Sequence, residues 1–258
     1  MSYIARVLPL GHTRKNQYYS RIWSVFMQFE AKLLKGQFVK RYKRFFTDIK
    51  LENGEIITAH TPNTGSMKTC LGENWPCLVT PNDDPKRKLK YTLELIHNGD
   101  TWIGVHTGRP NKIVYEAIKN GDISEITEFN ELKSEVKYGK SRIDLVASYP
   151  NYDHYIEVKN VTLKHDDKTC SFPDAVSTRG QKHLDELTEI AQSENKASMF
   201  FLVQREDVQH FTPAIEIDPI YADKLKKAYE KGVNILVYQC KLNEKEIIIN
   251  KKLEIIWP

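Results

Sequence analysis

The sequence predicts an α/β protein, α+β overall, in which a small N-terminal β-barrel precedes a mixed-sheet α/β domain. Two observations predict this architecture. Residues 27–105 contain several short strand patterns with closely spaced turn signals, which is typical of a small barrel. Residues 106–258 follow the order helix, strands, helix, strand, helix, strand, which describes a mixed α/β sandwich. Residues 1–26 lack the apolar core and cleavage site of a signal peptide, and we expect them to be a solvated N-terminal extension.

Composition allows two domains and narrows the class of protein. With 258 residues, of which 40% are apolar, the chain can bury a full core. The formal net charge of +4 permits a nucleic-acid partner without requiring one, because charges of both signs are mixed throughout. No run is long enough to span a membrane, and the four cysteines lack metal-ligand spacing. Scattered thiols are typical of a reducing compartment, so we expect a cytoplasmic protein.

The first strand pattern of the barrel, KGQFVKRYKRFFTD at Lys35–Asp48, interleaves basic and aromatic residues. We expect one strand that continues to a hairpin turn at Asn53-Gly54, after which Glu55–His60 returns as the second strand. The basic side chains could contact a nucleic-acid backbone, or they could be solvated charges that protect an edge strand from aggregation. The candidate nucleic-acid-binding residues are Lys40, Arg41, Lys43 and Arg44.

The rest of the barrel contributes a loop and two further strands. Short strands are expected near Cys77–Thr80 and Tyr91–Ile96. The loop at Thr61–Gly65 continues into Ser66, and its backbone could form a nest for a phosphate, with Lys68 just beyond it. The same residues also fit a structural turn, and both interpretations stay open.

A helix is predicted to open the second domain over Thr107–Gly121. Pro110 fits its first turn, and Asn120-Gly121 fits its end. A hairpin is predicted after it, in the stretch SRIDLVASYPNYDHYIEVKNV at residues 141–161. Its strands are Arg142–Ser148 and Tyr155–Val161, joined over the turn formers Pro150 and Asn151.

Centring the hairpin turn on Pro150 and Asn151 places Asp144 opposite Glu157. On the other face, the same register pairs Ile143 with Val158 and Leu145 with Ile156.

Two carboxylates opposite each other in a sheet have Cβ atoms about 5 Å apart and repel each other. A divalent cation between Asp144 and Glu157 would relieve that repulsion, and oxygen ligands suit Mg²⁺ or Mn²⁺. Lys159 lies on the same face and could hold a water or a phosphate oxygen beside the metal. Asp144, Glu157 and Lys159 are therefore the candidate catalytic residues. An exposed hairpin face with ordinary surface charges is the alternative interpretation.

A polar loop is predicted at Lys164–Pro173, followed by a helix in which Thr178 and Gln181 form a capping box. The start of this helix offers free N–H groups and a positive dipole end, where a phosphate can bind. The alternative is a helix that merely begins with basic residues. His183 could act as a general base, although a helix histidine beside a core is more often structural. The candidate phosphate contacts are Arg179, Gln181 and Lys182.

The C-terminal part completes the predicted mixed sheet. The apolar run Ser198–Gln204 is expected to be a buried strand. Asp218-Pro219 caps a helix over residues 219–231 that ends at Gly232. Val233–Tyr238 is a further strand, and residues 241–257 form a terminal hairpin or strand.

Several long strings of the sequence resemble known families. The D-(x)n-E-x-K arrangement on the hairpin resembles the motif of the PD-(D/E)xK nuclease superfamily. More closely, TPNTGSM, SRIDLV, YIEVKNVTL and FPDAVSTRGQKHL are together similar to the sugar fermentation stimulation protein A (SfsA) family, over about residues 36–258. The resemblance implies an N-terminal OB-fold, a nuclease-like C-terminal domain, DNA binding and a role in regulating sugar catabolism.

The resemblance also bears on the remaining site residues. Nucleases of this type can draw a further acid from the helix before the hairpin, and Glu116 is the candidate for this third metal ligand beside Asp144 and Glu157. A plain surface glutamate is the alternative for Glu116, and Glu135, in the strand SEVKYG, is the competing candidate. For the basic strand, the resemblance favours DNA contact over a solvated edge.

Three hypotheses of function follow. The first is a DNA-binding protein, for double or single strands, with little sequence specificity because no groove-reading module is recognisable. The second is an active Mg²⁺-dependent nuclease that uses Asp144, Glu157 and Lys159. The third is an enzyme that uses the metal site for a phosphorylated metabolite. A homodimer, the commonest symmetric assembly, is the candidate oligomeric state.

Overall fold

The structure, a computed structural model, describes residues 26–29, 31–139 and 141–258. The predicted extension at residues 1–26 lies outside these residues, apart from the backbone of Phe26. The first part of the chain folds into these strands: β1 Phe26–Gln28, β2 Leu34–Tyr42, β3 Phe46–Leu51, β4 Ile56–His60, β5 Pro76–Pro81, β6 Tyr91–His97 and β7 Trp102–Gly104.

The second part alternates helices and strands. In chain order its elements are α1 Pro110–Lys119, β8 Glu131–Tyr138, β9 Ser141–Ser148, β10 Asp153–Val161, β11 Leu163–Lys164, β12 Thr169–Phe172, α2 Thr178–Ala191, β13 Lys196–Val203, β14 His210–Pro213, α3 Pro219–Glu230, β15 Asn234–Leu242, β16 Glu246–Lys252 and β17 Glu254–Ile255. Across the described residues, every helix is too short or too polar to cross a membrane.

Strands β2 to β6 form the predicted barrel. Their order is β4-β3-β2-β5-β6, and a parallel pairing of β4 with β6 closes the cylinder, while β7 extends it beyond β6. Alternate residues of these strands point inward, among them Phe38, Ile49 and Leu93. The fold prediction is confirmed for this domain, which is an OB-type barrel.

One strand prediction in the barrel is wrong. The sequence KGQFVKRYKRFFTD forms two strands, because the chain turns between Tyr42 and Phe46. Lys43 and Arg44 make that turn with φ angles of 47° and 63°, in the left-handed region. Turns of this kind usually carry Gly, Asn or Asp, so no turn signal was visible here. The predicted turn at Asn53-Gly54 is present between β3 and β4.

The second domain is a seven-stranded sheet between two helical layers. The strand order is β1-β16-β15-β13-β10-β9-β8, in which β10, β13 and β15 run parallel. Helix α1 packs on one face through residues such as Val114. Helices α2 and α3 pack on the other through residues such as Leu184 and Leu225. The mixed α/β sandwich with three helices is therefore confirmed, and β1 joins its edge by pairing with β16.

The segment at Lys164–Pro173 is not the predicted loop. It forms most of a β-hairpin, β11 and β12, and β12 runs parallel to β14 in a second, four-stranded sheet. Thr169, Cys170 and Ser171 are buried there, although only Cys170 is an apolar residue. Polar residues on a short buried strand leave no periodic signal, which explains the error.

The predicted capping box at the start of α2 is wrong by one residue. Ser177 is the N-cap, and its Oγ accepts a hydrogen bond from the Gly180 N–H at 3.0 Å. Gln181 instead donates from Nε2 to Asp218 at 2.9 Å and so ties α2 to the start of α3. Ser and Thr are comparable caps, so the sequence could not choose between Ser177 and Thr178. Asp218 caps α3 as predicted.

Candidate metal and nucleic-acid site

The hairpin of β9 and β10 supplies the centre of the site. Leu145 pairs with Ile156 as predicted, but the backbone ladder ends at that pair. The predicted pairs Asp144–Glu157 and Ile143–Val158 are therefore absent from the ladder, and the Val158 N–H instead donates to Asp144 Oδ2 at 2.8 Å. Both carboxylates nevertheless line one cleft.

The cleft has a volume of about 490 Å³ and lies between the two domains. The sheet domain contributes Asp144, Glu157 and Lys159, and the barrel contributes Arg44 and the loop at residues 63–65. The segment at residues 172–177 and Arg179 of α2 complete the wall. The structure thus brings the three candidate catalytic residues together and adds positive charge from both domains.

Glu157 is the most constrained acid of the cleft. Its side chain is buried, and Oε1 is contacted by Lys159 Nζ at 2.6 Å and by His183 Nδ1. Burial opposes ionisation, but the hydrogen bond from His183 and the charge of Lys159 outweigh it and lower the pKa of Glu157. The other oxygen, Oε2, is buried and has no hydrogen-bond partner among the described residues. Glu157 therefore presents one free acceptor as a carboxylate.

Asp144 is held in a different electrostatic state. Its Oδ1 accepts from Asn111 Nδ2 at 2.8 Å, and its Oδ2 accepts from Val158. Burial and the negative charge of Glu157 raise the pKa of Asp144 to about 6, although the Val158 N–H opposes the shift. Neighbouring acids whose pKa values are driven apart are typical of functional sites.

His183 lies behind Glu157 on α2. Its ring is buried, and its Nε2 is 3.4 Å from Arg179 Nε, which can only donate. The tautomer that fits carries the proton on Nδ1 and donates it to Glu157. His183 thereby fixes the orientation of the Glu157 carboxylate, which is a positioning role. The sequence pattern placed His183 beside the core but could not show this contact.

The residues present fit a hard divalent cation. Glu157 offers a free oxygen, and Asp144 lines the same cleft, so the site supplies two carboxylates. Mg²⁺ commonly binds through one or two carboxylates and keeps several waters. Within the described ranges, no three His, Cys, Asp or Glu side chains lie close enough to hold a metal together. The four cysteines are buried, free thiols.

The structure does not bring either candidate third acid to the cleft. Glu116 lies on α1 but does not line the cleft, and the side chain of that helix that hydrogen-bonds to Asp144 is Asn111. Glu135 is exposed on β8, where its nearest charged partner is Arg142 at 3.8 Å. Asn111 gave no signal in the sequence, because it occupies an ordinary position in the first turn of a helix.

The four basic residues of the first strand have separate environments. Lys40 and Lys43 are exposed outside the cleft, and Lys40 Nζ lies 3.6 Å from Asp48. Arg44 lines the cleft and donates to the Thr64 carbonyl at 3.1 Å. Arg41 is turned inward, and its guanidinium donates to the main-chain carbonyls of Arg44, Asn63, Gly65 and Ser66.

The proposed phosphate nest is already occupied by a side chain of the protein. The Met67 N–H donates to Asp174 Oδ2 at 3.2 Å, and Asn63 Oδ1 accepts from the Gly65 N–H at 2.8 Å. A Cβ at Gly65 would collide with the Asp174 carboxylate, so this close approach requires glycine. Lys68 is exposed and does not line the cleft. The loop is therefore a structural turn docked on Asp174.

The three candidates on α2 are also separated. Arg179 lines the cleft, and Gln181 is used by Asp218. Lys182 donates to Ser141 Oγ at 2.8 Å and lies 3.1 Å from Glu186, in a neighbouring cavity. Only Arg179 can therefore contact a phosphate bound at Asp144 and Glu157.

Comparisons with known proteins agree with this architecture. The family model for the SfsA N-terminal OB domain matches residues 39–105, and the model for the sugar fermentation stimulation protein RE domain matches residues 108–246. A sugar fermentation stimulation protein homolog from Nitrosococcus oceani is 47% identical over 233 residues, covering 89% of this chain and 99% of the relative. The homolog from Pelagibacter ubique is 47% identical over 231 residues, with the same coverage.

A solved structure shows the same fold. The structure of Pyrococcus furiosus SfsA in complex with Ca²⁺ matches with a TM-score of 0.81 and 25% sequence identity, and the match covers 89% of this chain and 98% of that one. The two family models together span most of the sequence. The chain belongs to the sugar fermentation stimulation protein (SfsA) family.

Proposed function

We propose that this protein binds DNA in the cleft between its two domains, with a divalent cation held by Asp144 and Glu157. The observation that carries the proposal is the unpartnered Oε2 of Glu157. A buried carboxylate oxygen without a donor is costly, and a cation would supply its missing partner. Mg²⁺ or Mn²⁺ suits two carboxylates and water. The complex of Pyrococcus furiosus SfsA with Ca²⁺ supports an oxygen-ligand cation in this family.

The charges of the cleft support DNA as the partner. Arg44, Lys159 and Arg179 line it and are suited to phosphate oxygens. Contacts of this kind release counterions, so binding would weaken steeply with salt. They carry no sequence information, so specificity would be low. A regulatory role in sugar catabolism would follow from this DNA binding, and a homodimer would double the surface that contacts the DNA.

Phosphodiester hydrolysis is the second candidate, and Lys159 favours it. Its Nζ lies beside Glu157 in the cleft, where it can hold a water or a phosphate oxygen. Arg179 would stabilise the developing negative charge, and His183 would keep Glu157 oriented. A bound cation would supply activation of water and neutralisation of phosphate charge. Water would add across one P–O bond, giving a phosphomonoester and a hydroxyl.

The test compares the wild type, Glu157→Gln and a control, Glu131→Gln, which changes an exposed acid on β8. Mn²⁺ affinity is measured by calorimetry, and DNA affinity is measured at several salt concentrations with duplex and single strands. We expect Glu157→Gln to weaken Mn²⁺ binding by at least about tenfold, with the control unchanged. Equal Mn²⁺ binding by all three proteins, or DNA affinity that is insensitive to salt, would contradict the proposal.

Supercoiled DNA separates the two candidates. The DNA is incubated with each protein in Mg²⁺, Mn²⁺ or EDTA. If the protein hydrolyses DNA, the wild type and the Glu131→Gln control should nick it in the presence of metal, and Glu157→Gln should not. Binding without nicking by all three proteins would leave a DNA-binding cleft without hydrolysis.

A further inference from the structure

A second cavity of about 450 Å³ adjoins the cleft behind Glu157. It is lined by Lys137, Ser141, Arg142, Arg179, Lys182 and His183. Arg179 lines both spaces, and His183 contacts Glu157 from this side. Four of these six residues are cations: Lys137, Arg142, Arg179 and Lys182.

The first destabilising feature of the cavity is a pair of like charges in the sheet. Lys137 and Arg142 are direct partners across the ladder of β8 and β9. Like charges at directly opposite positions destabilise a sheet. Arg142 has only a distant contact with Glu135 at 3.8 Å, and Lys137 has no carboxylate partner within the described ranges.

The second destabilising feature is a positive charge at the N-terminal end of α2. Arg179 occupies the first turn of the helix, where the dipole favours negative charge, and that turn contains no acid. Its nearest polar partner is the ring of His183, whereas Lys182 is offset by Glu186. Lys137 and Arg179 thus face the cavity without a carboxylate partner among the residues that the structure describes. An anion in the cavity would offset both destabilising features.

We propose that this cavity is a binding site for a phosphoryl group. This inference rests on the proposed function. The natural ligand is a phosphate of the bound DNA strand, and the neighbouring phosphodiester of that strand lies at Asp144 and Glu157. Arg179 contacts both groups. A free phosphate would satisfy the same chemistry, and the experiment separates the two sources. Occupation would also hold Arg179 against His183, and so support the orientation of Glu157.

The test uses the double variant Lys137→Ala/Arg142→Ala and the control Lys133→Ala, which removes an exposed cation of the same strand outside the cavity. Thermal unfolding is followed with inorganic phosphate at constant ionic strength, in EDTA. We expect phosphate to raise the melting temperature of the wild type and the control, and the double variant to lose that shift. Without phosphate, the double variant should melt above the wild type, because the like-charge pair is gone.

The second arm measures the affinity for a duplex oligonucleotide in the same buffer. A loss of about tenfold in the double variant alone, with a salt slope smaller by about 0.9 for each lost contact, assigns the site to a strand phosphate. A change in the phosphate response alone assigns it to free phosphate. Equal phosphate shifts and equal DNA affinities in all three proteins would overturn the inference. If the wild type binds no DNA, the proposed function fails, while the phosphate arm still decides the cavity.

Discussion

Asp144 and Glu157 share one buried space but meet opposite electrostatic conditions. Glu157 has two donors on one oxygen, which keep it ionised in spite of burial. Asp144 faces that negative charge, and together with burial this raises its pKa to about 6. Without a cation, the site therefore holds a destabilising carboxylate near neutral pH. A cation would remove that penalty, so stability and metal binding should be coupled.

The first prediction is that Asp144→Asn stabilises the metal-free protein at pH 7.5. A folded pKa raised above its ordinary value of 3.8 means that stability is lost as the pH rises from about 4 to about 6. Removing the charge should restore up to about 3 kcal/mol, since one pKa unit corresponds to about 1.4 kcal/mol. A flip of the Asn111 amide keeps both hydrogen bonds satisfied.

Urea unfolding in EDTA as a function of pH measures this effect, with the exposed Asp167→Asn as the control. The advantage of Asp144→Asn should disappear near pH 4, and Mn²⁺ should reverse the order at pH 7.5 because only the wild type gains from binding. A variant that is less stable than the wild type at pH 7.5 in EDTA would contradict the argument.

At the residue scale, the sequence identified the charged side chains that line the cleft but not the residues that hold them in place. Asp144, Glu157 and Lys159 follow from alternation along one hairpin, which is a local property. Asn111 is 33 positions from Asp144, and His183 is 26 positions from Glu157. Such contacts depend on how helices pack on the sheet, and no local pattern encodes that packing.

The loop at residues 63–66 shows how one element determines the role of a residue in another. Arg41 belongs to a strand whose basic residues were predicted to contact DNA, yet it donates to four carbonyls within the fold. These contacts hold the loop against the Arg44 turn, and the loop lines the cleft. Asp174 fixes the other end of the loop through Met67. Arg41 therefore affects the cleft indirectly, because it holds in place the loop that forms part of the cleft wall.

The substitution Arg41→Lys, which conserves the charge, distinguishes a structural role of Arg41 in the loop from a direct contact with DNA. If Arg41 contacted a phosphate, Arg41→Lys would keep most of the DNA affinity. Because its planar fork serves several carbonyls at once, we expect Arg41→Lys to cost about 1.5–3 kcal/mol of stability, nearly as much as Arg41→Ala. Chemical denaturation measures the cost, and Lys40→Ala is the matched surface control. Full stability of Arg41→Lys would support a direct DNA contact instead.

Elements with clear end signals were predicted well. Pro110 and Gly121 bracket α1, and Asp218 and Gly232 bracket α3. The β2–β3 turn was missed because Lys43 and Arg44 adopt left-handed conformations that their residue types do not signal. The sequence thus predicts an element best where the local chemistry alone would stop or start it.

At the scale of the whole molecule, a buried ion pair joins the two domains. Arg205 is fully buried and makes two 2.7 Å contacts with Asp207. The same guanidinium donates to the Thr162 carbonyl at 2.7 Å and to Thr69 Oγ1, in the barrel, at 3.2 Å. Asn98, also from the barrel, donates to Asp207 at 3.1 Å. Because the cleft has walls from both domains, this pair helps to set its width.

We predict that Asp207→Ala destabilises the protein by about 3–5 kcal/mol, because Arg205 would remain buried without its counter-charge. Burial alone would raise the pKa of Asp207, but Arg205 and Asn98 lower it to about 2. The wild type should therefore lose this contribution as the pH falls through about 4 towards 2, and Asp207→Ala should show less acid sensitivity. DNA affinity should fall as well, because the cleft walls separate.

Calorimetric unfolding tests this coupling, with Asp223→Ala as the control, since Asp223 forms only an exposed pair with Lys227 that is worth well under about 1 kcal/mol. Weaker contact between the domains should split the transition of Asp207→Ala into two. Arg205→Met/Asp207→Ala should recover part of the loss, because it removes the unpaired charge along with its partner. A single transition at the wild-type temperature would show that the polar pair contributes nothing to holding the domains, and that apolar packing alone sets the cleft.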